Sequence, residues 1–188
     1  MKVEQLEYVT FEAGERATEV SNTSPDHGPR HWRDVARIAH LISANMDGFV
    51  VNYPFLFLFA ALHDSQREDE FDDPDHGKRA AALARHLRRT NVIEMEDDDF
   101  AMLQLALIEH DRGFQYEDDL NVALCWDADR LTIQRVGHVP KREYFSLPKV
   151  RNDLDGYVKT AADVIYGPDL RWGLIAALYG ERMRTDAA

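Results

Sequence analysis

His63 and Asp64 stand side by side at the end of the apolar run Phe-Leu-Phe-Leu-Phe-Ala-Ala-Leu, residues 55–62. An imidazole and a carboxylate in that position are costly for packing alone, because a buried carboxylate needs a positive partner. A divalent metal satisfies both side chains at once. Donors of the same kinds recur at His31, His76, His110, Asp127 and Asp129, each on a helical stripe or at a helix end that should face the core. Mixed imidazole and carboxylate donors suit iron, manganese, cobalt, nickel or zinc, whereas all-oxygen sites suit magnesium or calcium. Adjacent helical residues point about 100° apart. His63 and Asp64 can therefore hold one metal from two sides, or Asp64 can bridge two.

The elements that must position these residues read as helices. Leu6, Val9, Thr10 and Ala13 form a stripe for a peripheral helix within residues 1–22. Residues 22–28 have loop chemistry, and Pro29 suits a first helical position. His31, Val35, Ile38 and Ile42 then share one face, with a stop expected near Met46, Asp47 and Gly48. Pro54 opens a helix that is apolar all round, as a central buried helix should be. Residues 69–75 form an acidic loop, and His76-Gly77 leads into an alanine-rich helix over 78–89. Asp97, Asp98 and Asp99 read as a helix start that complements the helix dipole, with Phe100, Leu103, Leu107 and His110 continuing the stripe. Residues 121–134 read as a helix, 136–146 as irregular, and 148–166 and 168–183 as two last helices. Residues 49–53 are the one candidate for a short extended piece. The expected class is all-α.

His40, His86 and His138 lack the context of the other histidines, and His86 lies in an arginine-rich stretch that reads as solvated surface. The chain has 188 residues, 45% hydrophobic and 30% charged, which suits one domain over 1–188. A net charge of −12 disfavours non-specific nucleic-acid binding. Cys125 is the only cysteine, so an intrachain disulfide is excluded and a reducing cytoplasm is expected. The N-terminus lacks the apolar core of a signal peptide, and the longest apolar run, 53–62, is too short to span a bilayer. No membrane partner is expected.

The ordered set His31, His63-Asp64, His76, His110 and Asp129 resembles the HD-domain superfamily of metal-dependent phosphohydrolases. The resemblance covers roughly residues 27–135 and rests on His-Trp-Arg-Asp-Val-Ala at 31–36, Ala-Leu-His-Asp-Ser at 61–65 and Asp-Ala-Asp-Arg-Leu at 127–131. The last is the most specific, since the distal aspartate of the superfamily commonly lies in Ala-Asp-Arg-Leu. That role passes to Asp129, with Asp127 as the weaker candidate. His76 and His110 match the additional histidines of the subset that holds two metals.

The resemblance implies a helical bundle with its core over 27–135 and the helices of 148–184 packed on it. It implies a first metal on His31, His63, Asp64 and Asp129, and a second on Asp64, His76 and His110. One or two divalent transition metals would activate a hydroxide for attack on a nucleotide or other small phosphorylated compound. Arg67, Lys78 and Arg79 are candidate phosphate clamps; as surface cations they would instead pair with the acidic loop. Arg130 is expected to pair with a carboxylate behind the ligands. His27 is either a general acid for the leaving group or a turn-stabilising residue.

Two other functions fit the same pattern, a di-iron oxygenase and a metal-bound module without turnover. The Gly-Tyr-Pro signature of the cyclic-dinucleotide branch is missing; Tyr166-Gly167-Pro168 has another order and lies downstream. Specificity is expected from loops at 66–75, 112–120 and 136–147. Trp172, Leu174, Leu178 and Tyr179 are expected either to pack on the core or to form a homodimer face.

Overall fold

The computed structural model describes residues 3–46 and 49–185. Among these residues it is all-helical, with ten α-helices and no strand. They are α1 (Val3–Glu15), α2 (Glu19–Thr23), α3 (Pro29–Ser43), α4 (Tyr53–Leu62), α5 (His76–Arg89), α6 (Asp97–Glu109), α7 (Leu120–Leu131), α8 (Pro148–Asn152), α9 (Leu154–Ile165) and α10 (Trp172–Thr185).

The bundle is built round α4. All of its residues except Pro54 are buried, and it touches α1, α3, α5, α6 and α7. Pro54 sits in the first turn, where a missing N–H costs nothing, and Asn52 caps the helix by accepting the Phe55 N–H. At the other end His63 is the C-cap, so the His63-Asp64 pair lies where the buried helix stops. Of the expected extended piece at 49–53, residues 49–52 lead into α4 without forming a strand and Tyr53 is the first residue of that helix.

The stripe of α1 is as expected, with Leu6, Val9 and Ala13 fully buried. α2 was not expected, although Thr18 is a helix cap in type: its side chain accepts the Ser21 N–H. This short helix pins the turn after α4. Ser21 Oγ donates to the Asp64 carbonyl (2.8 Å) and accepts the Arg67 N–H (2.9 Å). α3 starts at Pro29 as expected and ends at Ser43; the expected stop at Asp47 and Gly48 lies outside the described residues.

The C-terminal third differs from expectation in two places. The helix expected over 148–166 is two, α8 and α9, broken at Asp153 (φ −123°, ψ 47°). Asn152 and Asp153 are turn formers whose side chains compete for the backbone. The last helix begins at Trp172 rather than Pro168. Arginines of α3 take the intervening carbonyls: Arg30 donates to Ile165 O and Gly167 O, and Arg37 to Val164 O and Pro168 O. Arg33 holds Asp169 at 2.6 Å. α9 then packs on α3 and α7, and α10 on α1 and α3. Tyr179 is buried and donates to Ala36 O, while Leu174 and Leu178 stay exposed. Among the described residues no helix is long and apolar enough to cross a membrane.

Candidate metal centre

Four histidines and two aspartates meet where α3, α4, α5, α6 and α7 converge. His31 comes from the first turn of α3, His63 and Asp64 from the end of α4, and His76 from the start of α5. His110 caps the end of α6, and Asp129 lies in the last turn of α7. They form two groups whose ligand atoms lie within 4.8 Å of one another: His31, His63 and Asp129, and Asp64, His76 and His110.

Asp64 joins the groups. Its Oδ2 is 3.3 Å from His31 Nε2 and 3.6 Å from His63 Nε2. Its Oδ1 is 3.3 Å from His76 Nε2 and 3.7 Å from His110 Nε2. Asp129 Oδ1 faces the first pair, 3.3 Å from His31 Nε2 and 3.7 Å from His63 Nε2.

The outer nitrogens fix how the rings point. His63 Nδ1 faces Ala60 O (3.1 Å), His110 Nδ1 faces Leu107 O (2.9 Å), and His76 Nδ1 faces Asp73 O. A carbonyl only accepts, so each of these Nδ1 atoms carries a proton and donates, leaving Nε2 for a ligand. His31 Nδ1 is 3.4 Å from Thr132 Oγ1. The Nε2 atoms of His31 and His63 are 3.0 Å apart, as are those of His76 and His110. Lone pairs converging at that distance, with two carboxylates between them, call for positive charge at the centre. A divalent cation fits this donor set.

The electrostatics of the metal-free protein express the same demand. Burial pushes His63 down to about 3. Burial also opposes a charge on His110, but its hydrogen bond and charge interaction with Asp64 hold it up at about 9. Burial works against ionising Asp64 and Asp129, yet the surrounding imidazoles keep both carboxyls below their usual range. A proton on His110 thus does part of the work of a cation.

A pH dependence follows. The His110 value is raised from 6.5 to about 9, so its contribution is full below about pH 6.5 and is lost as pH rises through 9. Buried Asp127, pushed up to about 7, has completed its own titration by the upper part of that window. Metal-stripped protein should lose on the order of 2 kcal/mol between pH 7 and 9 in urea unfolding. His110→Gln should remove the loss, and saturating manganese should flatten it; equal stability at the two pH values in metal-stripped wild type contradicts the assignment.

Gly77 is what allows the second group to close. A Cβ there would sit 2.4 Å from Leu107 O and 3.1 Å from Ile108 O, so the start of α5 rests directly on the end of α6. α5 begins at His76 itself, two residues before the expected start, which brings His76 onto the helix end facing His110. Gly77→Ala should cost about 1–3 kcal/mol by overpacking. It should also weaken metal binding by moving His76 off His110; wild-type stability and metal affinity together in this variant would contradict that packing.

Asp127 and Asp129 lie on different faces of α7. The Asp127 carboxylate is fully buried and accepts the N–H groups of Ser146 (2.7 Å) and Leu147 (2.8 Å), away from the histidines. Geometry thus separates the two aspartates, and Asp129 is the one in the cluster.

The centre forms the floor of a cavity of about 770 Å3. His27 borders it, with Nδ1 3.0 Å from Asp64 Oδ2. The turn at His27 is held by its backbone, whose N–H donates to Ser24 Oγ and whose carbonyl accepts the Trp32 indole N–H. Arg67 also lines the cavity. It is buried, Nη1 lies 3.5 Å from Asp64 Oδ1, and Nε has no hydrogen-bond partner.

Lys78 and Arg79 are elsewhere. Lys78 pairs with Asp75 at 2.6 Å, and Arg79 holds Gln66 O and Asp73; neither lines the cavity. Both thus pair with the acidic loop, the alternative expected for surface cations, and of the three candidate clamps only Arg67 lines the cavity. Arg130 pairs with the Asp127 carboxylate at 4.0 Å, as expected, and also donates to the carbonyls of Tyr144 and Phe114, both at 2.5 Å.

The loops expected to set specificity at 112–120 and 136–147 supply Arg112, His138 and Lys141 to the cavity wall, although the sequence singles out none of these side chains, and Arg135 lies just outside those loops. Arg135 ties the His27 loop to the end of α7 through Asp26 O and Thr132 Oγ1, with Nη2 3.3 Å from His27 Nδ1. A signal for this wall was present: residues 130–142 hold four cations and no carboxylate in a chain of net charge −12.

Comparison with protein-family models, curated proteins and solved structures returns no match. The protein is a helical chain with a buried His/Asp cluster able to hold metal.

Proposed function

We propose that the protein is a metal-dependent phosphohydrolase of HD-domain type acting on a small phosphorylated compound, with nucleotides within that class. The observation that carries this reading is the placement of Asp64, one oxygen toward His31 and His63 and the other toward His76 and His110, on the floor of a cationic cavity. Metals held by His31, His63, Asp129 and Asp64, and by Asp64, His76 and His110, would supply an activated water and neutralise phosphoryl charge.

The chain's own residues bind and orient. Arg67, Arg112, Arg130, Arg135 and Lys141 line the cavity against three carboxylates, Asp64, Asp111 and Asp129. Arg135 makes its hydrogen bonds to neutral acceptors, so its charge remains to attract an anion. The unpartnered Nε of Arg67 supports a role in holding a phosphoryl oxygen beside Asp64. His27, beside Asp64 on the cavity lining, supports a role in giving a proton to the leaving oxygen.

The test is a screen of phosphorylated metabolites with protein purified in manganese, cobalt or iron. Phosphate release by the wild type, lost in both His63→Ala and Asp64→Ala, is the expected result. Release that survives both substitutions overturns the proposal. Iron-dependent oxygen consumption with no phosphate release would assign the centre to oxygenase chemistry instead.

A further inference from the structure

The cavity is far larger than a phosphoryl group needs, and its second wall has a different chemistry. One segment, residues 133–145, supplies Ile133, Val136, Val139, Pro140, Tyr144 and Phe145 to the lining. Four of these are large apolar side chains open to solvent: Ile133 36%, Val136 38%, Val139 79% and Tyr144 44% exposed. The same segment carries Arg135 and Lys141 into the cavity. Solvent-exposed apolar side chains gathered on a cavity wall, continuous with a floor of charged donors, mark a place for a ligand with one anionic end and one apolar end.

The segment is fixed at both ends, so this wall is a built surface. Its start is held by Arg135 on Asp26 O and Thr132, and Gly137 (φ 79°) ends the 3-10 turn that follows α7. Its far end is held by Arg130 on Tyr144 O and by Asp127 on the Ser146 and Leu147 N–H groups. Both far-end anchors, Asp127 and Arg130, lie on α7, whose last turn carries Asp129. The apolar wall therefore keeps a set position relative to the centre.

We propose that the substrate is an amphiphilic phosphate, its phosphoryl end on the centre and an apolar alkyl- or ring-sized body against Ile133, Val136, Val139 and Tyr144. This rests on the reading of the centre as a phosphoryl site and adds the class of compound it takes. A sugar phosphate, polar throughout, would leave the apolar wall in water.

The test is calorimetric binding of methyl-, butyl- and hexylphosphonate, which are not hydrolysed, to manganese-loaded protein. Affinity should rise about threefold per added methylene, hence roughly 30-fold from methyl to butyl. In Val136→Ser/Val139→Ser protein the increment should fall below about twofold per methylene; both residues are at least partly exposed, so the fold tolerates the change. Equal affinity for all the phosphonates would overturn the proposal and leave the phosphoryl site standing. An unchanged increment in the double variant would overturn the placement on this wall. No binding of any phosphonate, methyl included, would overturn the phosphoryl site and this proposal with it.

Discussion

Asp64→Ala should abolish two-metal binding, lowering affinity by more than about 100-fold, beyond the roughly 10- to 100-fold that loss of an outer hydrogen bond costs a metal site. The reason is positional. His31, His63, His76 and His110 supply Nε2 atoms in two close pairs, and only the Asp64 carboxylate faces both pairs within 3.7 Å. Alanine leaves Asp129 facing the Nε2 atoms of one pair, while the other keeps only Asp111, 3.9 Å from the Nδ1 side of His76. The turn itself should survive, because Ser21 holds Asp64 through its backbone carbonyl. Metal titration followed by calorimetry separates the outcomes: a folded Asp64→Ala protein that still takes up two metals at wild-type affinity contradicts the bridging role.

Asp127→Ala should behave in the opposite way, losing about 2–6 kcal/mol of stability with the metal ligands intact. The Asp127 carboxylate, with no solvent exposure, is the acceptor for two backbone N–H groups. Removing it leaves both donors buried and unsatisfied, at about 1–3 kcal/mol each. Asn at the same place keeps one acceptor and turns an NH2 toward the other donor, so Asp127→Asn should cost about half as much. Asp129→Ala is the counterpart, weakening metal binding through the pair His31 and His63. Chemical denaturation and metal titration on these variants check the division. A stable Asp127→Ala protein with impaired metal binding would reverse the two assignments.

These two aspartates also mark how far the sequence could be read. Both stand in Asp-Ala-Asp-Arg-Leu at 127–131, and residue type alone does not tell a ligand from an acceptor for backbone N–H groups. The difference lies in which face of α7 meets α3 and which meets the loop at 145–147, a tertiary fact. The long periodic elements were legible because their apolar stripes are local, as in α1, α3 and α4. The break at Asp153 and the late start of α10 were less so: the first turns on two turn formers inside an otherwise helical stretch, and the second on arginines of α3, which take carbonyls of 164–168 from 127 to 137 residues earlier in the chain. The histidines were legible by their places at helix ends. The loop at 136–147 was legible as a source of specificity, but not which of its side chains form the wall, since an irregular segment has no period to say which side chains share a face.

Elemental analysis of the purified protein, before and after dialysis against manganese, cobalt or iron, tests the central claim most directly. Two metals per chain in the wild type is the expected result. No bound metal after dialysis against an excess of each would contradict it, because the cluster of His31, His63, Asp64, His76, His110 and Asp129 would then be held together by protons and hydrogen bonds alone.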